Sequence, residues 1–234
     1  MREIVIYVEG GGDTVSQRKE LRTGFDGLFR SQKEAARKNR ISLRFVPSGG
    51  RTEAFKTFRN AMDQSGSTRH IVLLVDSEGP IPAEIDTQDE ANRNTDDEAN
   101  SKARVQHLVN RDGWNFKGVE PSHVHLMVQC MEAWILADPE KMKEFYKKDF
   151  RENALPRLPN LENEAKTSIY SKIAAATKDT QKGEYSENNR AKITHASKLL
   201  EMIRPKEISV RCPRFKTFIR WLNEIVAPST SSNS

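Results

Sequence analysis

Two carboxylates, Asp76 and Glu78, follow directly on the apolar run Ile71-Val72-Leu73-Leu74-Val75, and Gly79-Pro80 closes the stretch. Spaced by two, their side chains leave an extended chain on one side. A hard divalent cation such as Mg2+ or Mn2+ prefers such oxygen ligands. The plainer alternative is a strand followed by a solvated acidic loop. A second run, Ile4-Val5-Ile6-Tyr7-Val8, also ends in an acid, Glu9, and Gly10-Gly11-Gly12-Asp13 follow it. Two strands that deliver carboxylates to one place create repulsion, which a cation normally relieves. Glu9, Asp13, Asp76 and Glu78 are therefore candidate metal ligands.

Short runs rich in Val and Ile, closed by Gly or Pro, read as strands buried on both faces. Such strands belong to a mostly parallel sheet flanked by helices, an α/β fold. In open sheets of that kind ligands bind beyond the carboxyl ends of the strands, where these acids stand. A helix is expected over about residues 16–38, with Leu21, Phe25, Leu28 and Phe29 on one face. Ile41 to Val46 reads as a third strand, followed by Pro47-Ser48-Gly49-Gly50-Arg51 and a helix with Phe55, Phe58 and Met62 on one face. The Gly10-Gly11-Gly12 turn lacks the Gly-Lys-Ser/Thr ending of a nucleotide-binding loop. It reads as a tight turn that lets backbone approach a metal-bound phosphate. Gly50 and Arg51 are placed at the same edge, Gly50 offering backbone N–H and Arg51 a phosphate clamp. A solvent-facing arginine at a helix start is the alternative.

Residues 79–100 hold Pro80, Pro82 and seven acids with little apolar content. They are read as a mobile flap or a dispensable insert. A short helix near 101–110 and a fourth strand, His123 to Gln129, follow. His123 and His125 share a strand face, either as a metal pair or as ordinary strand-end histidines. Met131 to Asp138 reads as a short buried helix ended by Pro139. A buried Glu132 there needs a partner or a metal, which makes it a fifth candidate ligand. Beyond residue 140 the chain is helical, with apolar stripes at Ile193, Ala196, Leu199, Leu200 and Ile203 and at Phe215, Phe218, Ile219 and Leu222. The expected division is 1–140 for the α/β domain, 141–227 for a basic helical extension packed on it, and 228–234 for a disordered Ser-rich tail.

Thirty-eight Lys and Arg oppose 33 Asp and Glu in 234 residues, a net charge of +5. The excess is uneven: residues 151–234 carry 15 bases and 9 acids, and the first 150 carry 23 and 24. A basic C-terminal part beside an acid-edged sheet suits a polyanion, with Arg211, Arg214 and Lys216 as candidate nucleic-acid contacts. A basic surface without a partner is the alternative. No run approaches the roughly 18 apolar residues of a membrane span, and Met1-Arg2 leads straight into a strand without a signal-peptide layout. A cytoplasmic protein with no membrane contact is expected. Cys130 and Cys212 show no zinc spacing and are expected as free thiols.

These residues carry a resemblance. Val8-Glu9-Gly10-Gly11-Gly12-Asp13, followed by Asp76-Ser77-Glu78, resembles the Toprim fold of topoisomerases, primases and overcoming-lysogenization-defect nucleases. Met131-Glu132-Ala133-Trp134-Ile135-Leu136-Ala137-Asp138 is similar to a Met-Glu-Ala-Trp-Leu-Leu-Ala-Asp block in the Toprim-like family DUF4276, and Ser209 to Phe215 also resembles that family. The resemblance implies metal-dependent phosphodiester cleavage of nucleic acid. Glu9 and Asp76 would be catalytic, Glu9 as ligand or general base, and Asp13 would serve a second ion. Glu78 departs from the commoner Asp-x-Asp pattern. The resemblance also implies a partner ATPase and a place in antiviral defence. The rival expectation is a catalytically idle Toprim-like module that binds nucleic acid or a partner protein. The chain is too short for a topoisomerase or primase, its acids are in the wrong order for a response-regulator receiver, and it lacks the Asp-x-Asp-x-Thr of haloacid-dehalogenase phosphatases.

Overall fold

Four apolar runs pair into one parallel sheet in the order β2-β1-β3-β4. These strands are β1 (Arg2–Val8), β2 (Ile41–Pro47), β3 (Arg69–Asp76) and β4 (Val124–Met127). The computed structural model describes residues 2–64, 69–83, 93–186 and 191–228. Central β1 and β3 alternate their side chains between two apolar layers. Ile4, Ile6, Val8, Val72 and Leu74 face one core, and Val5, Ile71, Leu73 and Val75 face the other. Burial on both faces explains the unbroken apolar runs. Because every pairing is parallel, all four carboxyl ends open at one edge.

Helices α1 (Val15–Leu28), α2 (Arg30–Lys38) and α10 (Pro213–Val226) cover the first layer. Helices α3 (Arg51–Asp63) and α4 (Arg93–Asp112) cover the second. The single helix expected over 16–38 breaks at Phe29, whose backbone (φ −102, ψ 28) leaves the helical range. The break seats the Phe29 ring against Phe45, 4.9 Å between centroids, and against Phe215 and Phe218. Thr14 and Gln17 form a capping box that starts α1.

The flap expected over 79–100 is partly helix, since α4 begins at Arg93; residues 84–92 lie outside the described residues. Among the described residues, repulsion between its acids is relieved by their neighbours in the fold. Asp96 lies in the first turn, where the helix dipole favours an acid. Asp97 pairs with Arg220, and Glu98 pairs with Lys102 one turn on. Pro139 opens α6 (Pro139–Tyr146) instead of ending a helix, because proline fits the first turn, where no N–H is needed. The block before it forms α5 (Glu132–Leu136), buried throughout.

The C-terminal helices α7 (Lys166–Thr177), α8 (Ala191–Met202), α9 (Pro205–Arg211) and α10 share the first core with β1 and α1. That core runs without interruption across residue 140, which lies inside α6. The tail 229–234 lies outside the described residues. Among the described residues no helix is long and apolar enough to cross a membrane. The fold is α/β, a parallel sheet flanked by helices with a helical C-terminal region.

Helices α1 and α8 touch backbone to backbone at Gly24 and Gly27. A Cβ on Gly24 would stand 2.7 Å from the Ser197 carbonyl oxygen, and one on Gly27 would stand 2.9 Å from Glu201 Cα. In an open helix, Gly to Ala stabilises by about 1 kcal/mol. Here Gly24→Ala should reverse the sign and destabilise by about 1–3 kcal/mol, because α8 must shift to admit the methyl group. The measurement is the urea midpoint; a raised midpoint would rule out this helix contact.

Candidate functional site

β1 and β3 lie side by side with Val8 opposite Leu74, so Glu9 leaves the sheet next to Asp76. Asp76 N–H donates to Glu9 Oε2 at 3.1 Å, and Met131 N–H donates to Asp76 Oδ1 at 2.9 Å. Past the end of β3 the chain keeps following β4: Ser77 N–H donates to the Met127 carbonyl and Glu78 N–H to that of Gln129. Glu78 then adopts a left-handed backbone, φ +63. A non-glycine residue there is strained, a feature that clusters at functional sites. One carboxylate oxygen from each of Glu9, Asp76 and Glu78 lies within 4.8 Å of the others.

Cations meet these acids. Lys166 Nζ donates to Glu78 Oε1, and Lys166 N–H donates to Gln129 Oε1 at 3.3 Å, which fixes the start of α7 at the site. Arg51 Nη1 donates to Glu9 Oε2 at 3.1 Å and to the Asp76 carbonyl. Its other nitrogens grip Asp112 at 3.0 and 2.6 Å, and its guanidinium lies 4.9 Å from the Trp114 ring centre. Burial, with Glu9 and Glu132 close by, holds the Asp76 carboxyl well above the usual aspartate range. Burial also raises Glu9; Arg51 opposes that rise and Glu78 adds to it. Burial acts to lower Lys166, but Glu78 and Asp76 outweigh it and keep the ammonium charged. Asp76 is only 8% exposed. Its negative charge is therefore costly unless a cation shares the site.

The other expected residues are placed differently. Asp13 is exposed on the turn and stands outside the trio. Glu132 lies close enough to raise Asp76 but is 1% exposed and turned to other partners. Tyr185 Oη donates to it at 2.9 Å, and Lys192 Nζ stands 3.7 Å away.

Gly10, Gly11 and Gly12 do have positive φ, but the turn is a packing joint and not an open anion cradle. Gly10 N–H donates to the Gly49 carbonyl at 2.7 Å, and Gly49 N–H returns the bond at 2.9 Å. A Cβ on Gly11 would stand 3.0 Å from Pro47 Cβ, and one on Gly12 would stand 2.8 Å from Ile193 Cδ1. Gly50 caps α3 in open space, and its carbonyl accepts from Ala54 N–H. Arg51 faces the site as expected, but as a brace between Glu9 and Asp112 instead of a phosphate clamp.

The basic trio does not form a nucleic-acid track. Arg211 donates to the carbonyls of Leu136, Pro156 and Leu158. Arg214 is 7% exposed and pairs with buried Glu162 at 2.9 Å. Lys216 alone is exposed. His123 sits 3.5 Å from His70, while His125 turns to Phe218 and Trp221, so they do not form a metal pair.

Lys166 and Lys192, both close to these acids, were not foreseen from the sequence. Each lies in the first turn of its helix, where a cation opposes the dipole. That local misfit was the available signal. Lys192 Nζ also donates to Tyr170 Oη at 2.6 Å.

None of the curated proteins and no solved structure matches the chain. A family described as a domain of unknown function matches residues 8–223, a span that runs from the end of β1 into α10 and takes in Glu9, Asp76, Glu78 and Lys166. On that match the chain belongs to the DUF4276 family.

Proposed function

We propose that this protein is a divalent-metal-dependent phosphodiesterase that cleaves nucleic acid. The observation that carries the reading is the trio: three carboxylates from the ends of two adjacent buried strands, with oxygens within 4.8 Å of one another. That is a hard oxygen donor set of the kind Mg2+ or Mn2+ takes. Asp13 and Glu132 stand outside it, so the set suits one ion. When bound, the ion would polarise a phosphoryl oxygen and lower the pKa of water.

The chain's own residues do the positioning. Glu9 is fixed through Oε2 by Arg51 and by Asp76 N–H, which leaves Oε1 to act as ligand or base. Asp76 is oriented by Met131 N–H. Lys166 sets a fixed positive charge beside Glu78 and Asp76, where it can meet phosphate charge. A Toprim-like relation fits acids at the carboxyl ends of two adjacent parallel strands. The same likeness suggests a partner ATPase and a role in antiviral defence, while the free thiols of Cys130 and Cys212 favour a cytoplasmic setting.

One observation favours the idle module. Arg51 and Lys166 already bond Glu9 and Glu78, so the acids are partly neutralised without an ion. Cleavage and metal-dependent melting separate the two readings.

Purified protein incubated with plasmid, single-stranded DNA and total tRNA should cleave at least one of them in Mn2+, and EDTA should abolish the cleavage. Asp76→Ala should remove it with circular dichroism unchanged. Full activity in that variant would overturn the site. Absence of cleavage, with a partner ATPase supplied, would favour the idle module.

Stability tests the trio without a substrate. Asp76→Asn keeps an Oδ1 for Met131 N–H and removes one buried charge. In EDTA the two proteins should melt together at pH values below the ordinary aspartate range, where Asp76 is protonated both folded and unfolded. As pH rises through that range the unfolded chain releases its proton first, because the folded pKa is the higher one. Wild type should therefore fall below Asp76→Asn, by on the order of 1 kcal/mol, and stay below above the folded pKa. Asp112 and Asp138, whose pKa values are lowered, shift stability in the opposite sense in both proteins and cancel in the difference. Mn2+ at about 100 times its dissociation constant should stabilise wild type by roughly 2.7 kcal/mol and the variant by much less. A variant that melts lower in EDTA and gains the full Mn2+ shift would make Asp76 a structural residue.

A further inference from the structure

The sheet has two edge strands, β4 and β2, and they are finished differently. The outer side of β4 is met by Arg104 of α4, whose Nε donates to the Val124 carbonyl at 2.8 Å. On β2, Ser48 N–H donates to the Val8 carbonyl at 2.9 Å, which fixes the even residues as those that turn their backbone groups to β1. Backbone groups alternate sides along a strand. The N–H and carbonyl groups of Ile41, Leu43 and Phe45 therefore point away from the sheet, and nothing among the described residues bonds to them. Pro47, with no N–H to offer, blunts only the last position. An open row of this kind is a template for another strand.

A cleft of about 450 Å3 runs beside this row, between α2 and the stretch Ile41-Ser42-Leu43. Arg30, Lys33 and Arg37 recur at helical spacing and form its α2 wall. Residues 30–44 carry six bases and one acid, Glu34, which also lines the cleft. Two of the bases are answered from outside that stretch. Lys33 meets Asp26 at 2.6 Å, and Arg44 meets Glu3 at 2.6 Å. Arg30, Arg37, Lys38 and Arg40 are exposed and have no ion pair among the described residues. The edge of β2 thus offers two kinds of contact together, unpaired backbone groups and an excess of positive charge.

The pair of contacts selects the occupant. A second copy joined edge to edge would set one basic row against the other, and like charges oppose such pairing. A nucleic acid would answer the charge and leave the strand's N–H and carbonyl row unmatched. An extended acidic peptide answers both, its main chain pairing with the row and its side chains giving the selectivity. Ile41, Leu43 and Phe45 turn their side chains to the core that α2 covers, so every second side chain of an added strand faces α2 as well. We propose that the outer edge of β2 docks an extended acidic segment of a partner protein. It adds as a fifth strand beside Ile41–Phe45 and sets its carboxylates against Arg30 and Arg37. This surface is separate from the carboxylate trio and does not depend on the nuclease reading.

The test is fluorescence anisotropy on the full chain in EDTA, with a fluorescein-labelled decapeptide that alternates Glu and Val. Saturable binding is expected, and a peptide with Lys in place of Glu should bind at least about tenfold more weakly. Two further peptides carry N-methyl groups on every Glu or on every Val. Only one side of an added strand faces β2, so one of these should lose about tenfold or more and the other should not. The double variant Arg30→Glu, Arg37→Glu should weaken the parent peptide by about tenfold or more with its melting curve unchanged. Should that variant melt lower, Arg30→Gln with Arg37→Gln takes its place, with a loss in the same direction. No saturable binding of the Glu peptide, or equal losses from the two methylated peptides, would overturn the proposal. So would oligo(dT) that binds more tightly than the peptide and is lost in the same double variant, since that result makes the face a nucleic-acid surface.

Discussion

Like charge at the end of two buried strands is the constraint on which the structure turns. β1 and β3 are apolar along both faces, so the first polar side chains after them emerge together at one edge. Glu9, Asp76 and Glu78 emerge there, and Asp112 and Glu132 stand close behind. Four bases answer these five acids: Arg51, Arg111, Lys166 and Lys192. The set is one negative charge in excess, and Asp76, buried like Glu132, has no base bonded to its carboxylate. The excess falls where solvent can do little to relieve it.

The elements around the edge are arranged to hold this set. Arg51 opens α3 and reaches Glu9, but its guanidinium is fixed from behind by Asp112 at the end of α4 and by Trp114. Trp114 in turn stacks on Phe55 of α3, 4.2 Å between centroids. α4 also places His107 Nε2 2.9 Å from the Ser77 carbonyl. The C-terminal helices supply the opposite wall, with Lys166 and Lys192 at the starts of α7 and α8. Those helices reach the site because they pack into the same core as β1 and α1, with Gly24 and Gly27 setting how close α8 can come. The helical C-terminal part is therefore part of the site's frame.

The strands and their acids were legible because their signal is local: apolar runs ending in acid, with one parallel direction bringing those ends together. The burial of the Trp134 block was legible for the same reason. What stayed hidden depended on contacts across the chain. Lys166 lies 88 residues from Glu78, and no spacing rule links them. The acids of α4 looked mutually repulsive because Arg220, 123 residues from Asp97, was not in view. The break at Phe29 interrupts a helical pattern that continues on both sides, since the ring is drawn out by Phe45 and Phe215. The triple glycine correctly announced a close approach. Glycine reports that something comes near, not what, and here Pro47 and Ile193 fill the place assigned to phosphate. Arg211 and Arg214 looked like surface charge until the carbonyls and Glu162 that use them were in place.

Glu78 explains how the third oxygen reaches the trio. β3 ends at Asp76, yet Ser77 and Glu78 still bond to Met127 and Gln129, so the chain is held beside β4 until it turns. The turn is left-handed at Glu78, a conformation that costs a residue with a Cβ about 1–2 kcal/mol. An aspartate here would carry its carboxylate on a stem one methylene shorter, from a backbone already turning away. The longer glutamate spans that distance, so its departure from an Asp-x-Asp spacing follows from where the strand stops. The same oxygen set is where Lys166 bonds, on Glu78 and not on Asp76. Asp76 keeps only a backbone N–H, from Met131, and Glu9 keeps Oε1 outside its bonds to Arg51 and Asp76. An ion joining the three carboxylates would therefore compete at Glu78 with Lys166 and the more distant Arg111, and could leave the Arg51 brace intact.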